Sequence, residues 1–151
     1  MKRMKHSDQA LELIKKWEGL KLEPYLCPAQ KLTIGYGHSL PRAEIHQKWT
    51  QEKAESMLEK DIERVGYYLN SVLKNNATQG QFDALCSLVF NWGNGNFGQS
   101  KGLRYLNEGM QSRAALEFFS KESGVVNINR KFCKGLYNRR QDELKLFNKK
   151  D

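Results

Sequence analysis

The 151 residues carry 25 Lys+Arg against 17 Asp+Glu, a net charge of +8, and 39% of them are hydrophobic. This length can bury a core in one domain, or in two small lobes sharing a core, without help from metal or disulfides. No apolar run reaches the roughly 18 residues of a membrane span, three irregularly spaced cysteines (Cys27, Cys86, Cys133) exclude a disulfide framework, and the positive balance favours a polyanionic partner.

The basic start, Met1 to His6, runs into an amphipathic stretch rather than the apolar core of a signal peptide, so a soluble cytosolic chain is expected. Ser7 is a good N-cap, and Asp8 suits a first helical turn, where the dipole favours negative charge. Ala10, Leu11, Ile14 and Trp17 follow at helical spacing, and Gly19 is the natural stop. Glu18 thus falls at a helix C-terminus, where the dipole disfavours an anion unless a cation answers it. Pro24 and Pro28 rule out a helix in the next segment. Tyr25 to Cys27 and Leu32 to Ile34 read as short strands around the turn Pro28-Ala29-Gln30-Lys31. Leu32, Ile34 and Tyr36 alternate to one face, leaving Thr33, Gly35 and Gly37 on a face open to close approach. This is the one β segment that the pattern predicts.

Thr50 caps a long helix that reaches Leu73, with Ala54, Leu58, Ile62, Val65 and Leu69 as its stripe and Gly66 marking close packing or a bend. Thr78 and Gln81 form a capping box. It opens a strongly apolar helix to Trp92. Gly93 to Gly98 reads as a turn. Ser100 and Ser112 cap two further helices, the first stopped at Gly109. Residues 124–134 are less regular, and a last helix runs from about Leu136 to Phe147. The expected fold class is α+β, mostly α-helical, as one domain over 1–151. It divides into an α+β part with a small β-sheet over 1–50, a joining helix over 51–73 and a helical part over 74–151.

The hairpin brings Cys27 and Thr33 onto adjacent strands, and the helix end delivers Glu18 beside them. General acid catalysis needs one protonated carboxyl group, and glycoside hydrolysis usually needs a second group across the bond. On spacing alone, a glutamate at a helix end is more often a solvated surface acid, and a lone cysteine a small buried hydrophobe. The stretch W-E-G-x(5)-Y-x-C-P-x(4)-T-I-G-Y-G-H, Trp17 to His38, resembles the active-site region of the phage-type lysozymes, endolysins that cleave bacterial peptidoglycan. That family's pattern of Glu, eight residues, Asp or Cys, five residues, Thr is met by Glu18, Cys27 and Thr33. Further matches are Gln79-x-Gln81-Phe82-Asp83-Ala84-Leu85-x-Ser87-x-x-Phe90-Asn91-x-Gly93, Ser100 ahead of a helix, and Gly135-Leu136-x-x-Arg139-Arg140.

The resemblance implies a phage-lysozyme-like two-lobed fold with a cleft between the lobes. It implies hydrolysis of the β-1,4 bond between N-acetylmuramic acid and N-acetylglucosamine, with no cofactor and no metal. Glu18 would be the general acid, and Thr33 would hold the attacking water. Cys27 stands where many relatives carry Asp. A thiol with its ordinary pKa of about 8.5 is mostly neutral. Either Cys27 serves as a partial thiolate, or Glu18 carries most of the catalysis. Inversion and retention both stay open. Arg130, Arg139 and Arg140 are the candidates for a cation facing Glu18. The resemblance further implies a His38–Asp61 ion pair and substrate contacts from Phe90, Asn91 and Ser100. The partners it implies are peptidoglycan and a holin, with no nucleic acid, no stable membrane association and a monomeric state. The enzyme would wait in the host cytoplasm and reach the periplasm and cell wall at lysis. A lytic transglycosylase, which needs one acid and no water, and a non-catalytic wall- or nucleic-acid-binding module are the alternatives.

Overall fold

The computed structural model describes residues 3–150; Met1 and Lys2, at the start of the basic segment noted above, and Asp151 lie outside it. In chain order the elements are α1 (Asp8–Glu18), β1 (Lys21–Leu26), β2 (Leu32–Gly35), β3 (His38–Ser39), α2 (Gln51–Val72), α3 (Gln79–Trp92), α4 (Asn94–Gly98), α5 (Lys101–Asn107), α6 (Gln111–Phe119), β4 (Asn127–Ile128), β5 (Lys131–Phe132) and α7 (Lys134–Phe147). The α+β, mostly helical class read from the sequence is the class observed. Among the described residues no helix is long and apolar enough to cross a membrane.

The helix starts follow their caps. Ser7, Thr50, Thr78 and Ser100 each accept a backbone N–H of the first turn, and Thr78 with Gln81 completes the capping box. Ser7 also fastens α1 to α3: its N–H donates to Asp83 Oδ1 at 2.8 Å and its hydroxyl to Asp83 Oδ2. Ser112, by contrast, is not a cap. The helix α6 begins one residue earlier, after Met110, and no side chain caps it. The expected turn from Gly93 to Gly98 contains helix α4, because Phe97 is wholly buried there and stacks on Phe118 at 5.4 Å. Burying a phenyl ring contributes about 2 kcal/mol, enough to offset a helix penalty of about 1 kcal/mol for each of Gly95 and Gly98. Gly66 needs no special account. A Cβ there would meet the Phe82 ring at 3.7 Å, an ordinary contact.

The sheet is antiparallel in the order β1-β2-β3, with Tyr25 opposite Thr33 and Thr33 opposite Ser39. It differs from expectation in three ways. First, β1 starts at Lys21, runs through Pro24 and ends at Leu26, which leaves Cys27 in the turn; the register is irregular between Lys21 and Tyr25. Proline is tolerated there because β1 is an edge strand. Second, β2 is the middle strand and all four of its residues are buried, so neither face is open. Third, a second hairpin, β4–β5, forms within the irregular stretch. Its turn places Asn129 (φ 51°) and Arg130 (φ 65°) in the left-handed region. A two-residue turn of this kind usually announces itself with glycine, and here none is present.

Two bodies meet along α2. Its first turns carry the sheet, through Ala54 and the preceding Trp49. Leu69 and the residues after it join the helical core, where Phe118, Phe119 and Phe147 continue the aromatic stack. Although α1 precedes the sheet, it packs on α3 and α7: Trp17 Nε1 donates to Asp142 Oδ2 at 2.9 Å, and Lys16 Nζ reaches the same oxygen at 2.6 Å.

Candidate active site

Glu18 is the last residue of α1, and Gly19 (φ 69°) turns the chain away behind it. Its carboxylate lies against the turn between β2 and β3. A Cβ at Gly37 (φ +76°) would stand 2.6 Å from Glu18 Oε1. Only glycine admits the carboxylate, and only glycine adopts that backbone without strain. Gly35 (φ +67°) faces the Trp49 ring, 2.8 Å from where its Cβ would be. The glycine face read as open is therefore filled by the chain itself, by Trp49 on one glycine and by Glu18 on the other.

Of the three candidate arginines, Arg139 faces Glu18. Its Nη1 donates to Glu18 Oε2 at 2.6 Å, while Arg139 itself is only 4% exposed. The same guanidinium donates through Nε to Glu143 Oε2 at 3.3 Å and through Nη2 to the Ser87 carbonyl and hydroxyl, each at 3.4 Å. Arg140 is fully buried and donates from Nη2 to Asn91 Oδ1 at 2.8 Å and to Glu143 Oε2 at 3.4 Å. Arg130 stays at the β4–β5 turn. Glu143, 0% exposed, accepts from the Ser87 hydroxyl at 2.5 Å. Arg140 Nε lies 2.8 Å from Glu143 Oε1, an ion-pair distance without hydrogen-bond alignment, and Arg140 Nη1 has no hydrogen-bond partner among the described residues. Burial pulls Arg140 down to about 10, aided by the Arg139 charge and opposed by Glu143 and Glu18. Burial likewise pushes Glu143 up, against the pull of Arg140, Arg139 and Ser87. Helical spacing puts residues 139, 140 and 143 on one face of α7. Sequence offered the arginines as candidates but nothing to choose among them, and it did not single out Glu143.

The opposite side is the tip of the first hairpin. Cys27 N–H donates to the Lys31 carbonyl at 3.0 Å, and Gln30 N–H to the Cys27 carbonyl at 2.8 Å, with Gln30 at φ 63°. Thr33 is buried in β2, and its hydroxyl donates to the Lys31 carbonyl at 2.9 Å. Burial pushes the Cys27 thiol up. The backbone groups of Lys31 and Ala29, the Thr33 hydroxyl and the Lys31 charge outweigh it, so the thiol sits below its ordinary value. Tyr25, across β2 from Ser39, is raised by burial, then by the charges of Glu18 and Cys27. It is thus a neighbour of both, and sequence marked it only as a motif position. His38 Nδ1 lies 2.7 Å from Asp61 Oδ2 on α2, with its ring 5.3 Å from that of Trp49.

Phe90, Asn91 and Ser100 do not meet Glu18 in any hydrogen bond or ion pair among the described residues. Phe90 packs partly buried on the core. Asn91 is exposed and accepts from Arg140. The Ser100 hydroxyl is engaged with the Phe97 carbonyl at 2.6 Å and the Leu103 N–H at 3.1 Å. Among the described residues no group of three His, Cys, Asp or Glu side chains is placed to hold a metal. What the site offers is one carboxyl group between a guanidinium and the Gly37 backbone, with Tyr25 and the hairpin that carries Cys27 nearby, a set suited to moving a proton onto a leaving oxygen.

Comparison with known proteins gives a consistent answer. The family model described as phage lysozyme matches residues 15–143. The chain is 45% identical over 141 residues to an endolysin of Acyrthosiphon pisum secondary endosymbiont phage 1, covering 93% of this chain and 96% of that protein. It is 42% identical over 149 residues to an endolysin of Bacillus phage PZA, covering 96% of this chain but 55% of that longer protein. Among solved structures, the muramidase domain of SpmX from Asticaccaulis excentricus superposes with a TM-score of 0.85 at 34% identity, covering 98% of this chain and all (100%) of that one. An endolysin from Escherichia coli O157:H7 phage FAHEc1 gives a TM-score of 0.78 at 30% identity, with coverage of 97% and 95%.

Proposed function

The chain belongs to the phage lysozyme family, and from that premise we propose that Glu18 is its general acid, with Thr33 and Cys27 handling the water. The protein is a lysozyme of the endolysin type, a muramidase that acts on peptidoglycan in host lysis. The proposed bond is the β-1,4 linkage from N-acetylmuramic acid to N-acetylglucosamine. Glu18 gives its proton to the glycosidic oxygen as that oxygen leaves the sugar carbon. A water held by the Thr33 hydroxyl attacks the same carbon from the far side, and its proton passes to the Cys27 thiolate. Solvent then takes that proton from Cys27 and returns one to Glu18. This sequence inverts the anomeric centre.

One observation carries the reading. The Glu18 carboxylate is clamped between Arg139 and the Gly37 backbone, and the neighbouring hairpin carries a thiol that its own loop holds below the ordinary value. The lowered thiol favours Cys27 as a partial thiolate over a site in which Glu18 acts alone. Phe90, Asn91 and Ser100 remain proposed sugar contacts, and the His38–Asp61 contact a proposed tie between the sheet and α2. The division at residues 50 and 73, a monomeric state, and passage from the host cytoplasm through a holin-opened membrane are part of the same proposal and rest on the family. The charge of +8 suits a wall polymer rich in carboxylates.

The test is mass spectrometry of digested peptidoglycan, run on the wild type, Glu18→Gln and Cys27→Asp. Reducing muramic ends from the wild type, their loss in Glu18→Gln, and their return at comparable yield in Cys27→Asp are expected. Anhydro-muramic ends would show a transglycosylase instead, and an active Glu18→Gln would remove Glu18 from the chemistry.

A further inference from the structure

Behind Arg139 lies a buried charge for which the hydrolytic steps have no use. Glu143 receives the Ser87 hydroxyl, Arg139 and Arg140, and solvent does not reach it. We propose that Glu143 is a positioning residue for Glu18: it holds the Arg139 and Arg140 guanidinium groups and thereby sets how much positive charge the acid feels. The inference rests on the reading of Glu18 as the general acid.

The geometry makes Arg139 a shared cation, 2.6 Å from Glu18 and 3.3 Å from Glu143. Two guanidinium groups and one carboxylate leave a single positive charge to answer Glu18. Among the described residues no other anion pairs with either guanidinium. The groups that α3 brings to this cluster, Ser87 and Asn91, are neutral. The hairpin brings neutral Tyr25 and the Cys27 thiol, whose partial negative charge is the same in every variant compared below. On α1, Lys16 is paired with Asp142, and α6 contributes the Phe119 carbonyl, which accepts from Gln141. The Arg140 charge reaches Glu18 without touching it. Without the Glu143 charge, two cations act on Glu18 in a site of low dielectric. An excess of positive charge favours the carboxylate over the acid. A general acid that has lost its proton at neutral pH cannot protonate the leaving oxygen. Glu143 also fixes where Arg139 points, since apart from Glu18 itself the remaining anchors of that guanidinium are the two 3.4 Å contacts to Ser87.

The experiment uses the full chain and Glu143→Gln. At neutral pH kcat falls about tenfold with KM unchanged, and the alkaline limb of the pH–rate profile moves to lower pH. The double variant Glu143→Gln/Arg140→Gln restores the charge count, and its alkaline limb returns toward that of the wild type. A carbon-13 NMR titration of the Glu18 carboxyl in each variant moves in the same direction. That readout needs no substrate, so it separates failure of this inference from failure of the Glu18 assignment. If Glu143→Gln does not fold, Ser87→Ala replaces it. That change removes the hydroxyl donated to Glu143, and the shift has the same direction but is smaller. A wild-type profile in the folded variant, or a double variant that behaves like the single one, would overturn the proposal.

Discussion

On the hairpin side of Glu18, Cys27 and Lys31 are held by backbone N–H and carbonyl groups in a loop whose other residues are exposed. On the α7 side, Arg139, Arg140 and Glu143 hold one another where solvent does not reach. The first wall owes its shape to the main chain, so a side chain can change without moving its neighbours. The second owes its shape to charges, and each of them depends on the rest, because an unpaired charge in a dry site costs far more than the pair contributes. A site built this way combines a wall that tolerates substitution with one that does not. The position where relatives are expected to vary, Cys27, lies on the tolerant side.

The largest effect expected from this contrast is on stability. Arg139→Ala leaves Glu18 unanswered and Glu143 with Arg140 alone, and should cost about 3 kcal/mol in urea unfolding. A loss of that size from Cys27→Ala would erase the distinction between the walls. Next comes Gly37→Ala, which strikes the boundary. The new Cβ overlaps the Glu18 carboxylate, and the backbone is left-handed. Stability falls by about 1 kcal/mol, while displacement of the acid lowers kcat about a hundredfold. Equal loss in kcat and in folded fraction would mean the carboxylate had not been moved.

Chemical labelling probes the hairpin wall more gently. Iodoacetamide at pH 7 should modify Cys27 and leave Cys86 intact in peptide mapping. Burial and the nearby Asp83 push the Cys86 thiol far up, whereas Cys27 is lowered and exposes thiolate at a lower pH than an ordinary thiol. Alkylated protein should lose lytic activity while unfolding within about 1 kcal/mol of the unmodified chain. Full activity after complete modification would exclude Cys27 from the reaction. The smallest effect is Gln30→Gly. It relieves a left-handed non-glycine residue (φ 63°), and should stabilise the fold by about 0.5 kcal/mol in thermal melts.

What could be read from sequence was local. Caps at Ser7, Thr50, Thr78 and Ser100 act over three residues, and Glu18, Cys27 and Thr33 fall within one short stretch. Features that depend on distant packing were hidden. Arg139 and Arg140 are neighbours in sequence, and which one meets Glu18 is decided by how α7 is rotated against α1 and α3. Helix α4 is written in glycine and asparagine, and forms because Phe97 has Phe118 to stack on. The β4–β5 turn uses Asn129 and Arg130 where glycine is usual. Gly37 read as an opening for a ligand, because nothing local shows that Glu18 fills it.

The ion pair between Glu18 and Arg139 spans 121 positions of the chain, and the bond from Trp17 to Asp142 spans 125. Helix α1 has an apolar stripe whose partners, α3 and α7, are made long after it. A polypeptide still growing on the ribosome therefore carries Glu18 and Cys27 well before it carries Arg139, which pairs with Glu18. Contacts of such separation form late, so a chain that stops short of α7 lacks both of them. For an enzyme that acts on the wall of the cell that makes it, that order is a safeguard: the proposed acid meets its cation only once α7 is in place.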